Sequence, residues 1–315
     1  MPVNPVRLTV PGNILLLGEY AVLEEGGLGV AMAVDTRVRL EASPAESLLI
    51  EAMWAGRTIS WTPERRGESL LIDAAVDAVT ERLGRSCEAK IHLDSSDFFS
   101  PDGRKAGLGS SAAVSVALVC GLLHSAGEGS AARGEAPLLA LQAHRRAQGG
   151  RGSGYDVMTS FHGGCGLFRG GADPGWDPCT LPADPRVLLF AGPAPVSTAD
   201  AVRSYMEWKE CNSAAAQDFL RESNNAIMSF VQAGSDVQAL LWFGACRELG
   251  IELGRSIRVP AEMPVPQGLD PLWCKATGAG SELGLCLVPP GVPVPADREG
   301  LRLVRRADTG VTWEE

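Results

Sequence analysis

The sequence predicts an α+β protein folded as two lobes, and three observations carry that reading. The 315 residues, 45% of them hydrophobic, can bury a core larger than one small domain needs. Stretches with strand period and stretches with helix period are mixed, without the regular βαβ alternation of a doubly wound parallel sheet. Between Gly170 and Pro185 the composition shifts to glycine, proline and aspartate (GGADPGWDPCTLPADP), which marks a boundary and gives expected domains of 1–172 and 173–315.

The elements follow in order. VRLTVPGNILLLGEYAVL (Val6 to Leu23) reads as a strand, a Pro-Gly break and a second β-rich run, so a hairpin or paired strands are expected. Val30 to Leu40, Ser47 to Ala52 and Ala89 to Leu93 read as strands, and LLIDAAVDAVTERL (Leu70 to Leu83) spaces its apolar residues for an amphipathic helix. A helix over about Ala136 to Gln148 leads to the loop GGRGSGYD. Beyond the boundary come a strand at Val187 to Phe190 and three helical stretches between Thr198 and Gly254. A glycine-rich loop at Thr277 to Gly280, a strand at Gly284 to Pro289 and a short strand near Leu301 close the chain.

A net charge of −10 and no Lys/Arg run beyond pairs such as Arg65-Arg66 exclude nucleic acid and anionic membrane as natural partners. An anionic small molecule stays open, because local cations and backbone N–H groups can dominate inside a cleft. The eight cysteines form no CxxC pair and have no histidine at metal-ligand spacing, so buried free thiols in a reducing compartment are expected. The N-terminal stretch MPVNPVRLTVPG lacks the basic and apolar regions of a signal peptide, and the expected location is the cytoplasm.

The stretch KAGLGSSAAVSVALVCGLL (Lys105 to Leu123) is the most informative. A membrane span needs about 20 predominantly apolar residues, and here Gly107, Gly109, Ser110 and Ser111 crowd one end. Glycines that permit positive φ, followed by serines where a helix begins, leave the first-turn N–H groups pointing at whatever lies in the turn. That is an anion site by geometry. It is not a Walker A loop, since no Gly-Lys-Ser/Thr follows.

GLGSSAA (Gly107 to Ala113) resembles the phosphate-binding second motif of the galactokinase, homoserine kinase, mevalonate kinase and phosphomevalonate kinase superfamily, the GHMP kinases. PGNILLLGEYAVL (Pro11 to Leu23) looks like the first motif of that family, and KATGAGSELGLCLV (Lys275 to Val288) like the third. The resemblance implies two α+β domains with the active site in the cleft between them, and phosphoryl transfer from ATP to a small-molecule hydroxyl or phosphate. AHRRAQGGRGSGYDVMTSFHGG (Ala143 to Gly164) resembles the phosphomevalonate kinases more than the mevalonate kinases, as do SSDFFSPDGRKAGLGSS and PAPVSTADAV. The substrate so implied is phosphomevalonate, with mevalonate or a related acid as the alternative, and the chain is expected as a monomer or homodimer.

The resemblance also implies roles. Gly107, Leu108, Gly109, Ser110, Ser111 and Ala112, with Gly278, Ala279 and Gly280, would hold ATP, and the Ser111 hydroxyl would contact Mg²⁺. Asp156 would be the catalytic aspartate. Asn13, Glu19, Tyr20, Arg151, Ser153, Gly154, Ser197, Thr198 and Lys275 would line the substrate. Phosphoryl transfer asks for positioning and charge neutralisation, and the family's first motif supplies a lysine where this chain has Asn13. Lys105 is the expected catalytic substitute, with Arg151 as a second candidate. The family's AQGK reads Ala147-Gln148-Gly149-Gly150 here, and Glu282 stands where the third motif carries an aspartate one residue away. Asn13 also leaves open a catalytically weak relative that binds nucleotide or precursor.

Overall fold

A computed structural model of the chain describes residues 4–129, 131–150, 152–182, 184–193, 195–294 and 300–314. The chain forms two interleaved compact units. The first comprises the residues up to Asn13, Ala33–Gly164 and Ala307 onward; the second comprises Ile14–Met32 and Cys165–Arg306. The contiguous division near residue 172 is thus replaced by one in which Ile14–Met32 joins the C-terminal half and the last residues return to the first unit.

In the first unit, β1 (Val6–Leu17) and β2 (Leu28–Pro44) enter a sheet with β3 (Leu49–Trp54), β4 (Arg57–Trp61) and β5 (Ala89–Asp94). The order is the chain's last strand (Thr312–Glu314), β1, β2, β5, β3, β4, with β3 parallel to β5. Helices α1 (Leu70–Leu83), α2 (Ser110–Ser125), α3 (Ala131–Ala147) and α4 (Tyr155–His162) belong to the same unit, and α2 packs on the other three. Helix α1 begins where Ser69 Oγ accepts the Ile72 N–H and ends at Gly84 in the left-handed region, a serine cap and a glycine stop. Helix α2 buries Ala112, Ala113, Val116 to Leu123 and even Ser115, whose hydroxyl donates to Ala140 O at 3.0 Å. A helix that is apolar all round is a central core helix when it is too short to span a bilayer, and among the described residues no helix is long and apolar enough to cross a membrane.

In the second unit, β6 (Cys165–Arg169) pairs antiparallel with Leu28–Met32 of β2 and with β7 (Gly175–Pro178). A separate antiparallel sheet runs β11 (Leu301–Val304), β8 (Arg186–Ala191), β10 (Leu283–Val288), β9 (Cys274–Thr277). Helices α5 (Thr198–Cys211), α6 (Ser213–Val231) and α7 (Asp236–Ile257) complete it, with α7 packed on α5, α6 and β9.

Two expectations are corrected. The Pro-Gly break does not turn the chain: β1 runs unbroken through Pro11-Gly12. Pairing with the last strand ends at Thr9, so the N–H that Pro11 lacks is not missed on that side. Gly12 answers to a close approach instead, because a Cβ there would lie 2.4 Å from Leu108 O. The eight thiols are not all free either. Cys274 and Cys286 are register partners on β9 and β10 and form a disulfide that closes this hairpin at its base. Strand β9 itself was hidden by its four-residue length beside the glycine-rich loop.

Candidate active site

The residues singled out from the sequence fall into two groups, one in each unit. In the first unit the loop before α2 has left-handed Gly107 (φ 71°) and Gly109 (φ 69°), and Gly109 caps α2 with no side-chain bond to the first-turn amides. Those N–H groups keep the capacity to bind an anion. Leu108 is buried and its carbonyl accepts the Asn13 N–H at 2.9 Å, which ties the loop to β1. Ser110, Ser111 and Ala112 form the first turn of α2.

Asn13 is buried and donates from Nδ2 to Ser160 Oγ at 3.0 Å and to Gly109 O at 3.4 Å. Any Cβ on residue 109 would fall 2.1 Å from Asn13 Nδ2, so the pair requires glycine in space as well as in φ. Asn13 therefore clamps the loop before α2 to helix α4. Asn13→Ala should cost about 1–3 kcal/mol by stranding the fully buried Ser160 hydroxyl, read as a lower urea midpoint. A midpoint equal to that of the parent chain would refute the clamp.

Asp156 lies in the first turn of α4, which starts after left-handed Gly154 (φ 94°). Its Oδ1 accepts the Val157 N–H at 2.9 Å, and its Oδ2 lies 3.6 Å from His144 Nδ1. His144 is 2% exposed, and its other nitrogen, Nε2, is 3.1 Å from Ser111 Oγ and 3.1 Å from Gln148 Nε2. The neighbouring Arg145 donates to Gly152 O at 2.9 Å and Ser153 O at 2.8 Å, which holds the loop ahead of Asp156. Burial lowers the Arg145 guanidinium and the Asp156 charge opposes that shift, so the two groups sense each other. Ser153 is buried. Lys105 is exposed, its backbone bridged to Phe99 beside the same loop. Arg151 lies outside the described residues.

His144 and Arg145 were missed as site residues by sequence reasoning. The signal lay in AHRRAQ, where His144 and Gln148 stand four apart and so share one helix face.

The second group surrounds the third motif. Gly278 is left-handed (φ 83°), and the Ala279 carbonyl accepts the Tyr20 hydroxyl at 2.5 Å. Gly280 lies against Pro260 and Val196 with little room for a side chain. Burial, and after it the Glu19 charge, push the Tyr20 hydroxyl well above its usual range, so it remains a neutral donor. Ser197 caps α5 by accepting the Asp200 N–H, and Thr198 begins that helix. Val196 and Ala279 pack on the same apolar cluster as Tyr20 and Tyr205.

Lys275, expected beside the substrate, is held by protein partners. It is 4% exposed and pairs with Glu19, while also donating to Leu16 O at 3.3 Å and Ala276 O at 2.6 Å. A buried ammonium and a buried carboxylate must satisfy each other. Lys275, Glu19 and Tyr20 thus build the frame of the third motif, their polar atoms turned to protein partners.

Magnesium takes hard oxygen donors and keeps several waters and phosphate oxygens. Among the described residues no cluster of three or more His, Cys, Asp or Glu is arranged for a metal. The oxygen donors of the first unit, the Ser111 hydroxyl and the Asp156 carboxylate, fit Mg²⁺ bound chiefly through phosphate.

The first unit thus brings together an uncapped, glycine-led helix terminus and an aspartate that stands near it across a histidine. Residues 70–164 match the family described as GHMP kinases N terminal domain. A phosphomevalonate kinase of Saccharolobus solfataricus is 32% identical over 50% of this chain and 47% of its own length, so this chain spans about half of that relative. A second, from a Streptomyces strain, is 26% identical over 88% of this chain and 87% of its own. The solved structure of Streptococcus pneumoniae phosphomevalonate kinase with phosphomevalonate and AMPPNP superposes with a TM-score of 0.69 at 18% identity, covering 90% of this chain and 92% of that one. Residues 70–164 of this chain thus match the N-terminal domain of the GHMP kinases, and both of these relatives carry the name phosphomevalonate kinase.

Proposed function

We propose that the protein is a phosphomevalonate kinase, moving the γ-phosphoryl group of ATP to the phosphate of 5-phosphomevalonate to give 5-diphosphomevalonate and ADP. The observation that carries the chemistry is the linkage in one unit of the α2 terminus, through Ser111 and His144, to Asp156. The choice of acceptor rests on the AHRRAQGGRGSGYD segment and on the two relatives that carry that name.

In this reading the N–H groups of Gly109 to Ser111 receive the ATP phosphates, and the ATP role of Gly278 to Gly280 rests on the resemblance of the third motif alone. The Ser111 hydroxyl would hold Mg²⁺ together with phosphate oxygens, and the ion would supply neutralisation of phosphate charge. A phosphate acceptor has a second pKa near 6 and is largely ionised at neutral pH, so Asp156 need not be a strong base. Its carboxylate takes the remaining proton from the protonated fraction and orients the groups around the acceptor. Ser153 and Gly154, pinned by Arg145, offer donors to the acceptor's phosphate. Asn13 orders the phosphate loop where the family lysine would place a charge, and the exposed Lys105 supplies the cation. The site is set in a chain read as a cytoplasmic enzyme.

The test is ADP release by the purified chain with ATP and Mg²⁺, comparing 5-phosphomevalonate, mevalonate and no acceptor. Turnover specific to phosphomevalonate is expected. Turnover with mevalonate instead would reassign the acceptor, and nucleotide binding with no turnover would move the chain to the weak, ligand-binding relatives that Asn13 keeps in view.

A further inference from the structure

We propose that His144 is a positioning residue of the phosphoryl-transfer centre: fixed as the neutral Nδ1–H tautomer by Asp156, it accepts the Ser111 hydroxyl proton at Nε2 and so turns the Ser111 oxygen lone pairs toward the phosphate loop. The inference rests on the phosphoryl-transfer reading above, in which His144 is only a link, and gives its ring a positioning task.

Two contacts favour this tautomer, and the role of Ser111 follows from it. A carboxylate only accepts, so a proton on Nδ1 suits the nearby Asp156 Oδ2, 3.6 Å away and beyond direct hydrogen-bond length. Gln148 Nε2 only donates, so the ring nitrogen 3.1 Å from it must be the acceptor. The Ser111 hydroxyl, 3.1 Å from that same nitrogen, is then a donor that shares the nitrogen's single lone pair with Gln148. A serine hydroxyl has one proton and two lone pairs, and once the proton is committed the lone pairs are directed. Without such an acceptor the hydroxyl would rotate and could place its proton where a cation is to bind.

Burial makes the arrangement persistent. His144 is 2% exposed on the last turn of α3, so water does not compete for either nitrogen. Its partners come from the first turns of two other helices, Ser111 on α2 and Asp156 on α4. A histidine kept only for packing could satisfy both nitrogens with main-chain groups. Here its polar contacts are side chains, and two of them are the residues to which the reaction assigns work. Outer partners of this kind typically change affinity or rate by about 10–100-fold when removed.

The experiment uses the full chain with ¹⁵N-labelled histidine. The chain has four histidines, and the His144 ring signals are assigned by their loss in His144→Gln. In the parent protein without nucleotide, the long-range ¹H–¹⁵N pattern should be that of the Nδ1–H tautomer. Ser111→Ala should move the Nε2 resonance, and Asp156→Ala should release the tautomer to a mixture. In steady-state assays, His144→Phe should lower kcat by about 10–100-fold with KM for the acceptor changed less than about threefold, and His144→Gln, whose amide oxygen can accept from Ser111, should recover much of that loss.

An Nε2–H tautomer, or ring resonances indifferent to Ser111→Ala and Asp156→Ala, would overturn the proposal even if the chain is a kinase. Equal kcat losses in the Phe and Gln variants would do the same. The ring spectra need no turnover, so failure of the kinase reading and failure of the His144 assignment are separately visible.

Discussion

Asp156→Asn should lower kcat for phosphomevalonate by a hundredfold or more, on the order of 10²–10⁴, while the protein stays folded and still binds nucleotide. The substitution keeps shape and removes charge. Asn Oδ1 can still accept the Val157 N–H that Asp156 accepts at 2.9 Å, so the start of α4 keeps its local bond. What the helix loses is one negative charge in its first turn, an effect of about 0.3–1 kcal/mol at a partly exposed site. The side chain is 22% exposed, which places it near that modest range. On the proposed function catalysis loses much more, because there the carboxylate orients the acceptor and favours the proposed His144 tautomer. The two quantities separate cleanly in measurement: kcat falls steeply, and the urea midpoint barely moves. A drop in midpoint large enough to account for the lost activity would mean that Asp156 serves α4 rather than the reaction.

Much of this arrangement was legible in the sequence wherever the signal was local. The glycines and serines of residues 107–111 announce a turn and a helix start, because positive φ and capping are properties of the residues themselves, and both glycines are left-handed. The amphipathic spacing from Leu70 to Leu83 gives α1 with both ends as expected. The signal failed where a partner far along the chain decides the outcome. Pro11-Gly12 reads as a turn by composition, yet Gly12 is there because Leu108 approaches it from 96 residues away at the neighbouring Asn13. The Cys274–Cys286 bridge depends on the register of β9 against β10, which no spacing rule predicts. Lys275 reads as a ligand cation because it flanks a glycine-rich loop. Only the fold reveals Glu19 beside it. His144 was visible as a family marker, but its role required Ser111 and Asp156 to be brought to its two nitrogens.

The largest effect on stability is expected at Lys275. Lys275→Met should destabilise the second unit by about 3–5 kcal/mol, the range for leaving one half of a buried ion pair without its partner. The Lys275 side chain is 3% exposed and that of Glu19 11%, so water cannot take over the lost interaction. Leu16 O and Ala276 O lose a donor at the same time. The partner residue supplies the control. Glu19→Leu together with Lys275→Met removes both charges, and replacing a buried pair by apolar groups of similar volume is often close to neutral. The double variant should therefore be more stable than Lys275→Met alone, a coupling that a double-mutant cycle in urea measures directly. Additive losses would show that the two charges do not depend on each other. The cycle also bears on function. Lys275 sits on β9, two residues before Thr277 and the Gly278–Gly280 loop, and Tyr20, next to Glu19, holds that loop through Ala279 O. If the pair is a frame, the double variant should recover nucleotide affinity along with stability. If Lys275 instead binds phosphate itself, stability would return and affinity would not.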